Sequence, residues 1–309
     1  MLEESPLLWL GFIVLVVILL ALDLGVLNRG SHHISVKKAL YLTAFWISIS
    51  IVFGIFVFLE MGEQKGMEYF TGYIIEKAMS VDNLFVFILI FALFKVPDEY
   101  QHKALFYGIV GALVFRAVFI FAGAELLERF EVVMYIFGIL LIYAAIKTMV
   151  KKDDSSGENM FAVKLSKHIK SSKDFDGNKL FTVQNGKKLI TPLLLCIIVI
   201  EFTDIIFALD SIPAILAITT DTFIVYTSNI FAILGLRSLF FALKGSLESL
   251  EYLKYGLGII LIFVGIKLLI SNWYEFSILF SLGFIGIVLI ITIAISLMMR
   301  KKVIPKSNV

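Results

Sequence analysis

Long uninterrupted apolar runs dominate this chain. They fall at about 7–27, 39–59, 69–94, 104–124, 132–150, 190–218, 222–243, 253–270 and 275–299. About 20 apolar residues cross the hydrocarbon core of a bilayer as a helix. Lipid offers a backbone no water to bond with, so a spanning segment is either a helix or a strand of a closed barrel. Barrel strands are short and alternate in polarity; these runs are long and do not. The pattern predicts an all-α polytopic membrane protein of about nine transmembrane helices. Composition agrees, with 60% of 309 residues hydrophobic, 17% charged and a mean hydropathy of +0.96. Soluble domains carry about 45–50% apolar and about 25% charged residues, so a soluble enzyme, a disordered chain and a nucleic-acid module are excluded.

The smaller features add bounds. A net charge of +2 points to no acidic partner. Cys196 is the one cysteine, which excludes an intrachain disulfide and a thiolate metal site, and its apolar setting reads as packing. Glu3 and Glu4 precede the first run where a signal peptide would carry basic residues, so that run reads as a retained span. Lys and Arg concentrate after the first span (Arg29, Lys37, Lys38), around the third connection (Lys95, Lys103), in the 151–189 loop and in the tail from Arg300. Alternate loops are acidic, with Glu60, Glu63 and Glu68, then Glu125, Glu128 and Glu131, then Asp221. Nine spans with the N-terminus outside and the C-terminus in the cytoplasm put every basic segment on the cytoplasmic side. The 151–189 loop reads as a polar connector, and His32, His33, His102 and His168 fall in cytoplasmic connections as solvated side chains.

The chain, read as a single transmembrane domain over 1–309, also repeats itself. Glu76 and Asp82 in Glu-Lys-Ala-Met-Ser-Val-Asp-Asn-Leu match Asp204 and Asp210 in Asp-Ile-Ile-Phe-Ala-Leu-Asp-Ser-Ile. Arg116, followed by Phe119, matches Arg237, followed by Phe240; Gly138-Ile-Leu-Leu-Ile matches Gly258-Ile-Ile-Leu-Ile. Spans 3–5 (69–150) are therefore expected to recur as spans 6–8 (190–270). Three spans per unit is odd, so the second unit enters the membrane inverted. Inverted repeats are typical of secondary transporters, whose sites lie near the midplane between the repeats.

Charges inside the spans locate that site, because each costs about 2.5 kcal/mol or more to insert. The acids are Asp23, Glu76, Asp82, Glu201, Asp204 and Asp210; the bases are Arg116, Arg237 and Lys77. A structural salt-bridge network would balance, and this one has an acidic excess. Six residues separate the acids of each matched pair along its span, about 9 Å and about 120° on a helix. One straight helix does not easily close both on an ion. Pro213 gives span 6 a reason to open, since it cannot donate to the carbonyl of Leu209. Asn83 and Ser211 follow the matched aspartates and offer further oxygen ligands. An all-oxygen set suits a hard divalent cation such as Mn²⁺, Mg²⁺ or Ca²⁺. Arg116 and Arg237 are read as positioning carboxylates through charge-assisted hydrogen bonds.

Three segments carry a resemblance. Ser80-Val-Asp-Asn-Leu-Phe-Val-Phe, the stretch Glu201-Phe-Thr-Asp-Ile-Ile-Phe-Ala-Leu-Asp-Ser-Ile-Pro-Ala, and Ser228-Asn-Ile-Phe-Ala-Ile-Leu-Gly-Leu-Arg-Ser-Leu closely resemble the TerC family of integral membrane proteins. Within it, the Alx-type manganese exporters are nearest. The likeness covers about residues 20–270. It implies the LysE-like transporter superfamily, a bacterial inner membrane and Mn²⁺ efflux, with Mn²⁺ as transported substrate. No resident cofactor is expected, and because efflux against an inside-negative potential needs a driving force, protons are the expected coupling ion. Links to tellurium resistance and to metal supply for exported enzymes also follow from it. The expected partners are the lipid bilayer, Mn²⁺ and H⁺, with no nucleic acid. A non-transporting partner of a secretion complex or metalloenzyme is the alternative. An aspartyl protease using Asp82 and Asp210 would show Gly-x-Gly-Asp, whereas Ala208-Leu precedes Asp210; no enzymatic activity is expected.

Overall fold

A computed structural model describes residues 6–23, 35–122, 131–150, 171–184, 186–216, 218–247, 253–271, 273–274 and 276–300. Its helices are α1 (Pro6–Leu22), α2 (Val36–Met61), α3 (Glu63–Phe94), α4 (Asp98–Ala122) and α5 (Glu131–Val150). After a hairpin of β1 (Phe181–Gln184) and β2 (Lys187–Ile190) come α6 (Pro192–Leu216), α7 (Thr222–Ile233), α8 (Leu236–Leu247), α9 (Leu253–Ile270) and α10 (Ile278–Arg300). Every anticipated apolar run carries helix among the described residues. Among the described residues four stretches are long and apolar enough to cross a membrane: Val36–Met61, Glu63–Phe94, Asp98–Phe121 and Thr222–Ser246. Shorter apolar helices lie at Pro6–Leu22, Tyr135–Lys147, Tyr255–Ile270 and Phe280–Ser296. The molecule is a mostly helical, polytopic membrane protein.

Local chemistry sets the helix ends. Ser35 caps α2 by accepting from the Lys38 amide at 3.3 Å, and Asp221 caps α7 by accepting from Phe223 and Ile224. Thr191 accepts from Leu194 N at the start of α6, with Pro192 at the first helical position, where its missing N–H is no loss. At the end of α3, Lys95 turns into the left-handed region (φ +51°), the Val96 amide reaches back to Phe91 O, and Pro97 prevents continuation.

The chain divides into two compact units, residues 1–129 with 158–242, and residues 130–157 with 243–309. The first contains α1–α4, the hairpin, α6, α7 and most of α8. Here α3 packs against α2, α6 and α7, while α4 packs against α6 and α7. Nearly every residue of α7 is buried, Thr227, Ser228 and Asn229 included, so the helix is enclosed by protein. Trp9 and Phe12 of α1 lean on Phe223 and Tyr226 of α7, while Leu7, Leu10, Val14 and Val17 remain exposed as lipid-facing surface. In the second unit α5 packs on α9, which packs on α10. Small residues let α5 and α9 approach closely. A Cβ on Gly138 would lie 2.8 Å from the Gly265 carbonyl, and one on Gly265 would lie 2.9 Å from the Gly138 carbonyl.

Three features depart from the sequence reading. Span 6 does not open at Pro213: α6 is helical without interruption from Pro192 to Leu216. The fully buried Ile206, Ile212 and Ile215 hold the helix on both sides of the missing hydrogen bond. The break comes instead in the next span, between α7 and α8, where Leu234 is extended (ψ 129°) and Gly235 has φ +84°. The 151–189 connector also holds structure, since β1 and β2 form a hairpin over 181–190, with Thr182 paired to Leu189 and Val183 to Lys188. Thr182 and Lys179 bond the exposed Asp176 and hold its carboxyl below the usual carboxylate range. Lys103 of α4 donates to Asn178 O and ties the hairpin to the bundle. Finally, His102 sits on α4, half-buried and stacked on Phe241 with ring centroids 3.9 Å apart. The other three histidines lie outside the described residues, as do Lys151, Lys152 and Arg29.

The break repays closer accounting, because a helix end inside a bundle leaves carbonyls without partners. The Ile230 carbonyl accepts from Leu234 N at 3.0 Å, that of Phe231 from Ser50 Oγ at 3.4 Å, and that of Ala232 from Lys77 Nζ at 3.0 Å. Lys77 thus brings a positive charge to the negative end of the α7 dipole. Gly235 meets two demands at once, a left-handed backbone and Trp46, whose Cβ would lie 2.6 Å from an added Cβ. Gly235→Ala is expected to destabilise the protein by about 1–3 kcal/mol, read as a lower melting temperature in detergent. Gly283→Ala, with nothing within 4 Å, is expected to leave it unchanged.

Candidate cation site

Arg116 occupies the centre of the first unit. It is 0% exposed, as is Glu76; Asp204 is 4% exposed. Its Nε and Nη2 donate to Oδ2 and Oδ1 of Asp204, both at 3.1 Å, in the two-pronged arrangement that matches a planar guanidinium to a carboxylate. Its Nη1 donates to Glu76 Oε1 at 2.5 Å, to Asn229 Oδ1 at 3.0 Å and to Ser211 Oγ at 3.4 Å. Asn229 completes the cluster by donating from Nδ2 to Glu76 Oε2 at 3.2 Å. Four helices meet here: α3 brings Glu76, α4 Arg116, α6 Asp204 and Ser211, and α7 Asn229. Asp204 and Ser211 lie seven residues apart, two helical turns, and so share the α6 face that looks at Arg116.

A buried charge survives only when it is paired and hydrogen-bonded. All four oxygens of Glu76 and Asp204 accept such a bond, yet one guanidinium faces two carboxylates. That imbalance within a sealed cluster is the electrostatic signature of the site.

The remaining sequence candidates are distributed around it. Asp82 and Asn83 are buried further along α3, 4% and 2% exposed. Glu201 lies one turn before Asp204 and rests on Gly111 of α4, where any Cβ would collide with its carboxylate; its Oε2 is buried with no hydrogen-bond partner among the described residues. Asp23, immediately after α1, joins a separate ion pair: Arg237 Nη2 lies 3.0 Å from Asp23 Oδ2 and donates to its backbone carbonyl at 2.9 Å. Asp210 belongs to α6, and its side chain lies outside what the structure describes. Among the described residues no group of three or more His, Cys, Asp or Glu side chains is gathered as a metal-holding cluster. Asn229 went unassigned in the sequence reading; its signal was a lone amide within the apolar run 222–243.

Ties at the α3 N-terminus close one end of this unit. Lys65 lies 2.8 Å from Asp221 and 3.5 Å from Glu68, and Thr219 donates to Glu68 at 2.6 Å. Beside them a cavity of about 580 Å³ is lined by Trp9, Lys65, Phe121, Asp221 and Phe223. On another side of Asp204, Leu84, Phe87, Leu105, Ile109 and Ile200 leave a space of about 10 Å³, room for about one water. The Arg116 cluster is closed off by packed apolar side chains in this conformation.

Comparison with known proteins meets this geometry at its defining segments. The family model of the integral membrane protein TerC family matches residues 61–303. The chain belongs to the TerC family. A membrane protein of Myxococcus xanthus is 50% identical over 273 residues, 88% of this chain and 86% of that protein. Proteins named "Putative membrane-bound redox modulator Alx" are 43% identical in Salmonella typhi and 41% identical in Escherichia coli K12, each over 303 residues and 94% of both chains. No solved structure matches the chain.

In this TerC protein Asn229 is the one neutral side chain, among the described residues, bonded to both members of the Arg116–Glu76 pair. Asn229→Leu is expected to cost about 1–3 kcal/mol, because it strands Glu76 Oε2 and one guanidinium proton in a dry site. Thermal unfolding of the purified variant checks this, with Asn229→Gln as a partly restored control.

Proposed function

We propose that this chain exports a divalent metal cation, Mn²⁺, from the cytoplasm across the inner membrane, with proton entry as the driving force. The observation that carries the reading is the meeting of Glu76 and Asp204, matched positions of the two sequence repeats, in one buried cluster with an acidic excess. Oxygen donors from carboxylates, an amide and a hydroxyl favour a hard cation over a soft one. Manganese itself comes from the family resemblance.

The contacts also support the inverted repeat that a carrier of this type needs. The register that sets Gly138 against Gly258 sets Ala145 against Gly265. Gly138 meets Gly265, and Gly258 meets the Ala145 carbonyl at 3.6 Å from its Cβ position, so each contact has its exchanged counterpart. In the first unit α3 packs on α7 while its match α6 packs on α4. Gly72 of α3 meets Ser228, and Gly108 of α4 meets Ile200 of α6, the same contact exchanged to within about one residue. Such exchange is expected of two halves related by a twofold axis in the membrane plane.

Efflux against an inside-negative potential costs about 4.6 kcal/mol per 100 mV for two charges, which is why a coupled proton flux is part of the proposal. Redox chemistry, named for the Alx relatives, has no thiol pair to use within this chain, since Cys196 is the one cysteine and is buried.

Purified protein in liposomes is expected to move Mn²⁺, faster under a pH gradient. Asp204→Asn, Asp82→Asn and Asp210→Asn are each expected to slow it by at least about tenfold. Wild-type rates in these variants would remove the site assignment. No Mn²⁺ flux by the wild-type protein under any gradient would favour a non-transporting membrane partner that supplies metal to other proteins.

A further inference from the structure

The transport reading leaves a question about the empty carrier: what keeps Glu76 and Asp204 stable in a dry interior when no metal is bound? We infer that Arg116 is a tethered substitute for the transported cation. It holds the two carboxylates while the carrier is empty and gives them up when the metal enters. The inference rests on the proposed transport function and deepens it.

The hydrogen bonds carry it. Glu76 Oε1, Asp204 Oδ1 and Asp204 Oδ2 each accept from Arg116, and Glu76 Oε2 accepts from Asn229. Every carboxylate oxygen of this pair already accepts one hydrogen bond, three of them from the guanidinium, which sits between the two carboxylates. A metal that bridges both carboxylates competes with the guanidinium for that position, and repulsion between a divalent ion and an arginine in low dielectric acts in the same direction. Charge and metal are thus alternatives for one position.

The energetics explain why such a device is useful. Two bare carboxylates inside a bilayer would carry a large desolvation penalty. An empty carrier bearing them would reorient slowly. Arginine stays protonated at any physiological pH, so its charge is always available for the return step. Its place on α4, apart from the α3 and α6 carboxylates, lets a change in helix packing withdraw it without moving the carboxylates themselves. Asn229 is suited to the exchange, because it touches both Arg116 and Glu76 and keeps Glu76 Oε2 satisfied in either arrangement.

The mode of transport tests this. Net efflux requires the metal-free carrier to return, its coupling protons on acids other than Glu76 and Asp204, whereas exchange of Mn²⁺ for Mn²⁺ across the membrane uses the loaded carrier in both directions. In proteoliposomes, Arg116→Gln is expected to lower net Mn²⁺ efflux by at least about tenfold while exchange of radioactive Mn²⁺ rises, its competitor gone. Arg116→Lys preserves the charge but loses the two-pronged grip. It is expected to lower the KM for Mn²⁺ several-fold while slowing net turnover. Should Arg116→Gln fail to fold, as judged by size exclusion and thermal melting, the lysine variant decides alone. Net efflux retained in folded Arg116→Gln, equal loss of both modes, or a raised KM in Arg116→Lys would overturn the inference. Wild-type protein that moves Mn²⁺ in neither mode would overturn the transport reading itself, and this inference with it.

Discussion

The charge of Arg116, enclosed by four helices, is the constraint on which the rest of the first unit depends. Carboxylates from α3 and α6, an amide from α7 and a hydroxyl from α6 converge on it. Apolar packing in a membrane lacks direction, because lipid is as apolar as the helix faces it would exchange with. A buried guanidinium has both direction and a geometric requirement, and helices that satisfy it are held in register. The buried α7 is needed for the same reason, since it supplies Asn229 and its apolar side chains fill the space around the cluster.

The second organising event is the break between α7 and α8. Interrupting a helix inside a bundle frees carbonyls, and each of those from Ile230 to Ala232 has found a donor: an amide, the Ser50 hydroxyl and the Lys77 ammonium. Lys77 lies beside Glu76 in the chain, so consecutive residues of α3 serve the break and the Arg116 cluster. Arg237, just beyond the break, pairs with Asp23. Among the described residues, Lys77, Arg116 and Arg237 each hold a specific partner inside the first unit.

Much of this was legible in the sequence. The apolar runs located the helices because hydrophobic length is a direct physical requirement of the bilayer. The intramembrane charges were legible as exceptional for the same reason. What was not legible was partnership. Asp23 reads like the other five acids in composition, yet it belongs with Arg237. Asn229 looked like an ordinary polar residue in an apolar run. Pro213 carried the strongest local signal for a broken helix and proved silent, because buried isoleucines on both sides hold α6 straight. Gly235 carried a weak signal, a lone glycine in an apolar run, and marks the actual break, because Trp46 presses on it and Lys77 caps the end it creates.

The sequence by itself determined the class of protein, the positions of its helices, the matched pairs of charged residues and the family to which they belong. Each of these follows from one-dimensional facts: run length, charge frequency and repeated spelling. The tertiary structure decided which carboxylates share a cation, and that the cation in this conformation is the protein's own arginine. It also decided which helices pair, α5 with α9, α3 with α7 and α6 with α4. Such choices depend on which side chains come within about 3 Å of one another, and in a chain of nearly uniform apolar helices only the packed bundle specifies that.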